Sequence, residues 1–183
     1  TIGPQPTDTT TLIPFLKEAE EYLKFKYNKI TADAGYESEE NYLFLERNGQ
    51  TSFIKPANYE ISKTRKYQQD IGRIENMDYD REKDVYICQN GKNLNVVTIK
   101  HSKSKTGYVS EKTIYKCSDC SGCPYKNNCI KGNNCNTPLE RRNKVLQVAK
   151  KFIKQRKENL ERILSKEGIL LRMNRSIQAE GSF

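Results

Sequence analysis

The sequence of 183 residues lacks several features that would assign it to a particular class of protein. It has no hydrophobic run of about 18 residues, which predicts that no helix spans a membrane. It has no recognisable secretory signal peptide, so we expect a cytoplasmic protein. Tryptophan is absent, and hydrophobic residues make up only 35% of the chain. They are clustered, however, and this clustering predicts a modest folded core rather than global disorder.

Acidic residues become scarce in the second half of the chain. Residues 1–99 contain 13 Lys and Arg against 16 Asp and Glu, whereas residues 100–183 contain 19 against 7. Such an excess of basic residues indicates a polyanionic partner, with DNA as the leading candidate. The alternative is a solvated basic surface that only keeps the protein in solution.

The first third of the chain has the alternating pattern of an α/β layer. Apolar residues at helical spacing predict a helix within residues 11–27, and a short apolar, β-branched stretch at 29–32 predicts a buried strand that ends at Asp33. Ser38 can cap a second helix, which Gly49 would end. Residues 51–55 then predict a second strand.

The middle of the chain predicts a β-rich insert over residues 57–137. Residues 84–100 are typical of a hairpin that turns at Asn90-Gly91, and the segment TIYKC predicts another strand. From about Pro138 the pattern favours a long helix with many basic residues, followed by a last helix over 166–180. We therefore divide the chain into residues 1–56, 57–137 and 138–183.

Six cysteines in a Lys-rich chain without a secretory signal favour metal binding over disulfides. The sequence CSDCSGCPYKNNC brings four of them into thirteen residues, and four thiolates suit a tetrahedral Zn²⁺ ion. A small β-rich insert has little core of its own, so bound metal would supply folding free energy. The predicted zinc ligands are Cys117, Cys120, Cys123 and Cys129.

Several alternatives to this assignment stay open. Cys88, in the predicted hairpin, could replace any one of the four ligands. An iron–sulfur cluster is disfavoured because Pro124 follows the third cysteine and not the fourth, and unligated thiols or disulfides are further alternatives. The only histidine, His101, lies in a polar stretch and is interpreted as a surface residue.

Asp33 stands where open α/β sheets place their ligands, at the carboxyl end of a predicted strand. A carboxylate at that point can bind a divalent metal. From the residues alone, however, Asp-Ala-Gly is also an ordinary turn, and both interpretations remain.

Three stretches of the chain resemble insertion-sequence DDE transposases. ITADAGYESEENYLFLERNGQTSFIKP resembles the segment around the second catalytic Asp, and RMNRSIQAEGSF resembles the segment that carries the third carboxylate. IYKCSDCSGCPYKNNC is similar to a Cys-rich insert found between these points in one subgroup of the family. Paired carboxylate segments with a Cys-rich insert between them are more specific than any single motif.

The resemblance implies a partial ribonuclease-H-like α/β fold that is interrupted by the β-rich insert and ends in long helices. It implies that Asp33 and Glu180 bind Mg²⁺ in a two-metal site for DNA cleavage and strand transfer. Arg175, together with Arg172, would steady a DNA phosphate or orient Glu180. The basic helix adds Lys150, Lys151 and Lys154 as candidate DNA-binding residues.

The chain also departs from the family pattern. The first catalytic Asp is expected upstream of Thr1, because Asp8 lies in a loop-like stretch and not on a strand. The spacing between Arg175 and Glu180 is looser than in the tightest form of the related signature. We therefore interpret the chain as a transposase fragment that is inactive alone.

The intact transposase would act on insertion-sequence ends and target DNA, as a homodimer associated with the nucleoid. The alternative hypothesis, from a different class, is a zinc-stabilised DNA-binding module without catalytic activity.

Overall fold

The computed structural model describes residues 8–132 and 135–180, except for the side chains of residues 179 and 180. The chain divides into two units. The first comprises Thr1–Tyr59, Lys103–Tyr108 and Lys151–Phe183, and the second comprises Glu60–Ser102 and Val109–Lys150. The division of the sequence into 1–56, 57–137 and 138–183 stays a prediction.

The first unit contains a parallel pair of strands and four helices among its described residues. These elements are α1 (Leu12–Leu23), β1 (Lys29–Ala32), α2 (Glu39–Arg47), β2 (Thr51–Ile54), α5 (Lys150–Leu164, from its second residue onward) and α6 (Lys166–Glu180). The order helix, strand, helix, strand confirms the α/β prediction for this part of the chain.

Strands β1 and β2 pair in parallel, with Ile30 opposite Ser52 and Ala32 opposite Ile54. Helix α2 connects them, and the Ser38 hydroxyl accepts a hydrogen bond from the Asn41 amide at 3.0 Å, which confirms Ser38 as the helix cap. A parallel pair requires such a crossover, because the chain must return to the same end of the sheet. The carboxyl ends of both strands therefore lie at one edge.

The core of the first unit lies between this pair of strands and the helices. Its buried residues are Leu12, Ile30, Ala32, Tyr42, Leu45 and Ile54, with Phe152 of α5 packed against them. Leu45 and Ile54 are completely inaccessible to solvent. Full burial of such a side chain contributes about 1.5–3 kcal/mol to folding.

The second unit is built on an antiparallel sheet. Its strands lie side by side in chain order and are β3 (Asp78–Asp80), β4 (Val85–Ile87), β5 (Asn93–Lys103, whose last residue belongs to the first unit), β6 (Val109–Cys117) and β7 (Val145–Val148). The predicted hairpin is confirmed: β4 pairs with β5, and the Gly91 amide donates to the Cys88 carbonyl at 2.8 Å. Gly91 has a φ of 68°, which glycine adopts without strain.

Short helices fill the remainder of the second unit. They are α3 (Arg65–Gln68), α4 (Lys126–Cys129) and three 3-10 turns at Ile61–Lys63, Ile74–Asn76 and Leu139–Arg141. Thr64 caps α3 by accepting a hydrogen bond from the Tyr67 amide. These turns occupy much of the polar stretch that follows residue 57.

One predicted element is wrong. The long helix does not begin near Pro138, because residues 145–148 form β7, and α5 begins only at Lys150. Along β7 the side chains alternate, with Leu146 and Val148 buried and Val145 exposed, and Leu146 lies opposite Tyr115 of β6. The segment contains two valines, and its side chains are alternately exposed and buried. Both features favour a strand when a neighbouring strand can pair with it.

Candidate functional site

Asp33 lies immediately after β1, as predicted. It is extended (φ −74°, ψ 170°) and precedes a 3-10 turn at Ala34–Tyr36. Its side chain is 59% exposed. The carboxylate therefore stands at the carboxyl end of a parallel strand with open access to solvent, which is the position at which α/β sheets bind their ligands.

Arg175 of α6 holds the Asp33 carboxylate in a two-point ion pair. Its Nη1 donates to Oδ1 at 2.9 Å and its Nη2 donates to Oδ2 at 2.6 Å. The two residues are 142 positions apart in the chain. The fork of the guanidinium matches the two carboxylate oxygens, and such paired, charge-assisted contacts fix orientation as well as distance. The structure therefore brings two of the three predicted catalytic residues into direct contact.

Glu180 is the last residue of α6, and its side chain lies outside the described part of the structure. It follows Arg175 by five residues, which is about 7.5 Å along a helix axis. Helix α6 packs against β1 and β2. The role of Glu180 therefore stays a prediction.

A second ion pair, which the sequence did not reveal, lies close to Asp33 in the chain. The Glu37 side chain is completely buried, and Arg156 of α5 donates to its two oxygens at 2.8 and 2.7 Å. Tyr42 donates its hydroxyl to the same carboxylate at 3.0 Å, and the Ala57 amide donates at 2.8 Å. Burial, reinforced by the Glu37 charge, raises the pKa of Tyr42, so this hydroxyl keeps its proton.

These contacts hold the segment between β1 and α2 in place. Asn41, which is completely buried, donates to the carbonyls of Tyr36 at 2.7 Å and of Thr9 at 3.0 Å. Asp33 is thus the exposed end of a loop whose other end is fixed by buried polar contacts. No local pattern could have singled out Glu37 among the four acidic residues of DAGYESEE, and Arg156 was interpreted as one of many basic residues on a helix.

The candidate DNA-binding residues have different surroundings. Arg172 lies over the ring of Tyr59, with 5.5 Å between its Cζ atom and the ring centroid. Lys151 is exposed, and the exposed Lys154 lies 3.8 Å from the carboxylate of Glu158. Lys150 belongs to the second unit, where it donates to both oxygens of Asp84 at 2.9 and 2.8 Å. Of the four, Lys150 therefore has the strongest competing role within the protein.

Five of the six cysteines line a single cavity in the second unit. The cavity has a volume of about 20 Å³ and is lined by Cys88, Cys117, Cys120, Cys123 and Cys129. A cavity of this size holds about one water molecule or one ion. Cys135 is exposed and is not among the lining residues. The four predicted ligands and the alternative Cys88 are thus gathered around one small space.

Three of the five thiols that line this cavity are withdrawn from water. Cys117, Cys120 and Cys129 are buried within the hydrophobic core of the sheet, and all six cysteines are free. Burial raises the pKa of the Cys117 thiol to about 11 and also raises that of Cys129. A divalent cation would have to displace these protons, since thiolates and not thiols bind metal.

Lys144 forms part of the wall of the same cavity. Its ammonium donates to the carbonyls of Gly72 at 2.6 Å and Cys129 at 2.9 Å, and its amide donates to the Cys120 sulfur at 3.4 Å. Burial lowers the pKa of Lys144. A fixed cation and an N–H group beside the thiols would both favour negatively charged sulfur.

The donor set suits zinc, because soft thiolates are its preferred ligands. Within residues 8–132 and 135–178, however, no group of three or more His, Cys, Asp or Glu side chains is arranged so that it could hold a metal ion. The cysteines share a cavity without forming a closed tetrahedron. Zinc binding therefore stays a prediction that requires the thiols to draw closer.

His101 is separate from the cavity. It lies on β5 with 61% of its side chain exposed, and its Nε2 is 3.5 Å from Glu111. This position confirms its interpretation as a surface residue.

Among the described helices, none combines the length and the apolar character that crossing a membrane requires.

Comparison with known protein families identifies a match. The family model described as Transposase DDE domain matches residues 87–183, which is more than half of the chain. The matched range contains all the residues that line the cysteine cavity, as well as α5 and α6 with Arg175 and Glu180. No curated protein and no solved structure gives a significant match.

Proposed function

Because the chain belongs to the transposase DDE domain family, we propose that it is the part of a DNA transposase that carries the second and third catalytic carboxylates, Asp33 and Glu180. The proposed reaction is metal-dependent cleavage of DNA at the ends of an insertion sequence, followed by strand transfer into a target. The proposal includes a ribonuclease-H-like arrangement of β1, α2 and β2.

The Asp33–Arg175 ion pair is the observation that carries this proposal. The family match begins at residue 87 and so contains Arg175 and Glu180 but not Asp33. The pair of hydrogen bonds at 2.9 and 2.6 Å connects the matched helix to the strand end that precedes the match. Two segments that were assigned separately to one active site are therefore joined by direct contact.

The residues present fit magnesium at this site. Mg²⁺ prefers carboxylate oxygens, is bound through one or two of them, and completes its coordination with water and phosphate. Asp33 supplies a carboxylate that is 59% exposed and whose two oxygens Arg175 holds in the structure, and Glu180 would supply the second. Bound Mg²⁺ would activate the attacking water or 3′-hydroxyl and stabilise the leaving oxygen.

The chain's own residues would do the positioning. Asp33 directly follows β1, and Glu180 is the last residue of α6. The Glu37–Arg156 pair fixes the loop that follows Asp33. Arg175 and Arg172 carry the positive charge that would receive the scissile phosphate. DNA is the implied partner, and homodimerisation and a location at the bacterial nucleoid are further parts of the proposal.

We also propose that the cysteine cavity binds one structural Zn²⁺. Cys117, Cys120, Cys123 and Cys129 are the proposed ligands, with Cys88 as the replacement that the cavity lining supports. The buried Cys117, Cys120 and Cys129 belong to the core cluster of the second unit, so metal binding would stabilise this whole unit.

The test uses the full transposase protein that contains this chain, with DNA substrates that carry the insertion-sequence ends. Asp33→Ala and Glu180→Ala should each abolish Mg²⁺-dependent cleavage while leaving DNA binding in place. Glu161→Gln, at an exposed position of α5, is the matched control and should cleave normally. Cleavage that survives both carboxylate substitutions would overturn the assignment and favour a DNA-binding module without catalysis.

A further inference from the structure

The Arg175 guanidinium occupies both oxygens of the carboxylate that we assign to the metal. Nη1 and Nη2 donate to Oδ1 and Oδ2 respectively, so the fork of the guanidinium covers the outer edge of the carboxylate. A magnesium ion binds a carboxylate oxygen at about 2.0–2.1 Å. An ion at that distance would lie within a few ångströms of a fixed positive charge, and the two cations repel each other.

The two ion pairs near this strand end differ in how readily they can open. Asp33 and Arg175 have side chains that are 59% and 34% exposed, so water can solvate both charges when they separate. The Glu37 side chain is fully buried, and its separation from Arg156 would leave an unsolvated charge. Exposed pairs contribute little net free energy, whereas breaking a buried pair is costly. The Asp33–Arg175 pair can therefore exchange partners, while the Glu37–Arg156 pair stays closed.

We infer that Arg175 is a positioning residue that changes partners when the site is loaded. In the structure its guanidinium holds the Asp33 carboxylate through two hydrogen bonds. When Mg²⁺ binds to Asp33, the guanidinium is released, and its two donors are then available to a DNA phosphate, which offers the same two-oxygen geometry. Mg²⁺ bound to Asp33 would free Arg175 for DNA, and a DNA phosphate bound to Arg175 would free Asp33 for Mg²⁺. Metal and DNA would therefore each favour the binding of the other.

This inference rests on the proposed function, because it requires Asp33 to be a metal ligand. Its specific consequence is the direction in which the loss of Arg175 changes the affinity for a divalent cation. If Arg175 competes with the metal, Arg175→Gln should raise the affinity for a divalent cation. If Arg175 only supports the fold of the site, the same substitution should lower that affinity or leave it unchanged.

The experiment measures Mn²⁺ binding to the full protein by electron paramagnetic resonance, in the absence of DNA. Mn²⁺ serves as the probe because it accepts the same oxygen ligands. Arg175→Gln should tighten binding about two- to fivefold, the range that an exposed ion pair accounts for. Arg81→Gln removes one positive charge from an exposed position of the second unit and controls for net charge. Arg175→Lys keeps the charge without the fork and should give an intermediate affinity.

A second measurement, of DNA affinity in the presence of Mn²⁺, tests whether the released Arg175 guanidinium binds DNA. DNA binding in the presence of Mn²⁺ should be weaker for Arg175→Gln than for Arg81→Gln, although the metal binds the first variant more tightly. This opposite movement of metal affinity and DNA affinity is the signature of partner exchange. Circular dichroism and thermal unfolding establish that each variant is folded before its affinities are compared.

Asp33→Asn separates failure of the inference from failure of the proposed function. If Asp33→Asn does not weaken Mn²⁺ binding, Asp33 is not a metal ligand, and both the inference and the proposed site are overturned. If Asp33→Asn weakens binding while neither Arg175→Gln nor Arg175→Lys tightens it beyond Arg81→Gln, the metal site stands and the exchange role of Arg175 is wrong.

Discussion

Glu37 and Arg156, which are 119 residues apart in the sequence, are joined by two hydrogen bonds. The Glu37 carboxylate has no contact with solvent. Arg156 also lies over the ring of Phe152, with 4.4 Å between its Cζ atom and the ring centroid. A buried carboxylate is tolerated only when its charge and its lone pairs are satisfied. Arg156, Tyr42 and the Ala57 amide meet that requirement here and tie α5 to the loop after Asp33.

Removal of one member of this pair should be strongly destabilising. We expect Arg156→Ala to lower the free energy of unfolding by about 3–5 kcal/mol, because it leaves the Glu37 charge buried without its partner. Urea denaturation monitored by circular dichroism measures the loss. Glu158→Ala, which breaks the exposed contact with Lys154, is the matched control and should cost under about 1 kcal/mol. Equal losses in the two variants would show that burial does not set the strength of the Glu37–Arg156 pair.

Asp84 should make the stability of the second unit depend on acid pH. Hydrogen bonds from Lys150, Tyr115 and Tyr79 lower the pKa of Asp84 to about 2, compared with about 3.9 in an unfolded chain. A lowered folded-state pKa contributes stability that is fully present above the unfolded value and is lost as the pH falls through about 4 towards 2. Because the Asp84 side chain is 41% exposed, the contribution is modest.

Asp84→Asn tests this dependence. Asp84 has a φ of 51°, and asparagine tolerates that left-handed conformation well, so the substitution removes the charge without added backbone strain. The variant should have a lower melting temperature than the wild type at pH 6, and the difference should shrink as the pH approaches 2. A difference that stays constant over this range would contradict the assignment of the carboxylate as the titrating group.

The sequence predicted the elements whose signals are local. The cap at Ser38, the turn at Asn90-Gly91 and the last helix each depend on a few adjacent residues, and the structure has all three. The segment Val145–Val148 was mistaken for helix because its neighbouring strand, β6, lies some 30 positions earlier and leaves no trace in the local pattern. Pairing with a distant strand decides the structure of such a short apolar stretch.

The candidate site was predictable to the extent that each residue belongs to a motif. Asp33 and Arg175 were identified from separate segments by resemblance, and the structure places them in contact. Glu37 belongs to no motif, since its importance comes entirely from a partner in α5. Four cysteines were identified from their spacing, whereas the position of Cys88 at the same cavity follows from the pairing of β4 with β5.

The cysteine cavity leads to a prediction about metal content. Protein purified without chelator should contain about one zinc ion per chain, measured by mass spectrometry, and removal of the metal should lower the melting temperature of the second unit. Cys129→Ser should reduce the zinc content, because Cys129 lines the cavity. Cys135→Ser, at an exposed position outside it, is the control and should retain full zinc. Full zinc in both variants would exclude Cys129 from the ligand set, and a metal-free wild type would overturn the zinc proposal.

Asn159 of α5 should be as important to the first unit as any apolar core residue. Its side chain is completely buried, and its Oδ1 accepts from the Ile54 amide at 3.0 Å while its Nδ2 donates to the Ile54 carbonyl. One amide thus satisfies both backbone groups at the end of β2, as a neighbouring strand would. Asn159→Leu keeps a similar volume but leaves both groups buried and unpaired, at a cost of about 1–3 kcal/mol for each. Asn159→Asp keeps the acceptor for the Ile54 amide and loses only the donor, whereas Asn159→Leu loses both. Hydrogen exchange at the Ile54 amide should therefore accelerate far more in Asn159→Leu than in Asn159→Asp. Equal exchange rates in the two variants would show that the end of β2 is held by packing and not by this amide.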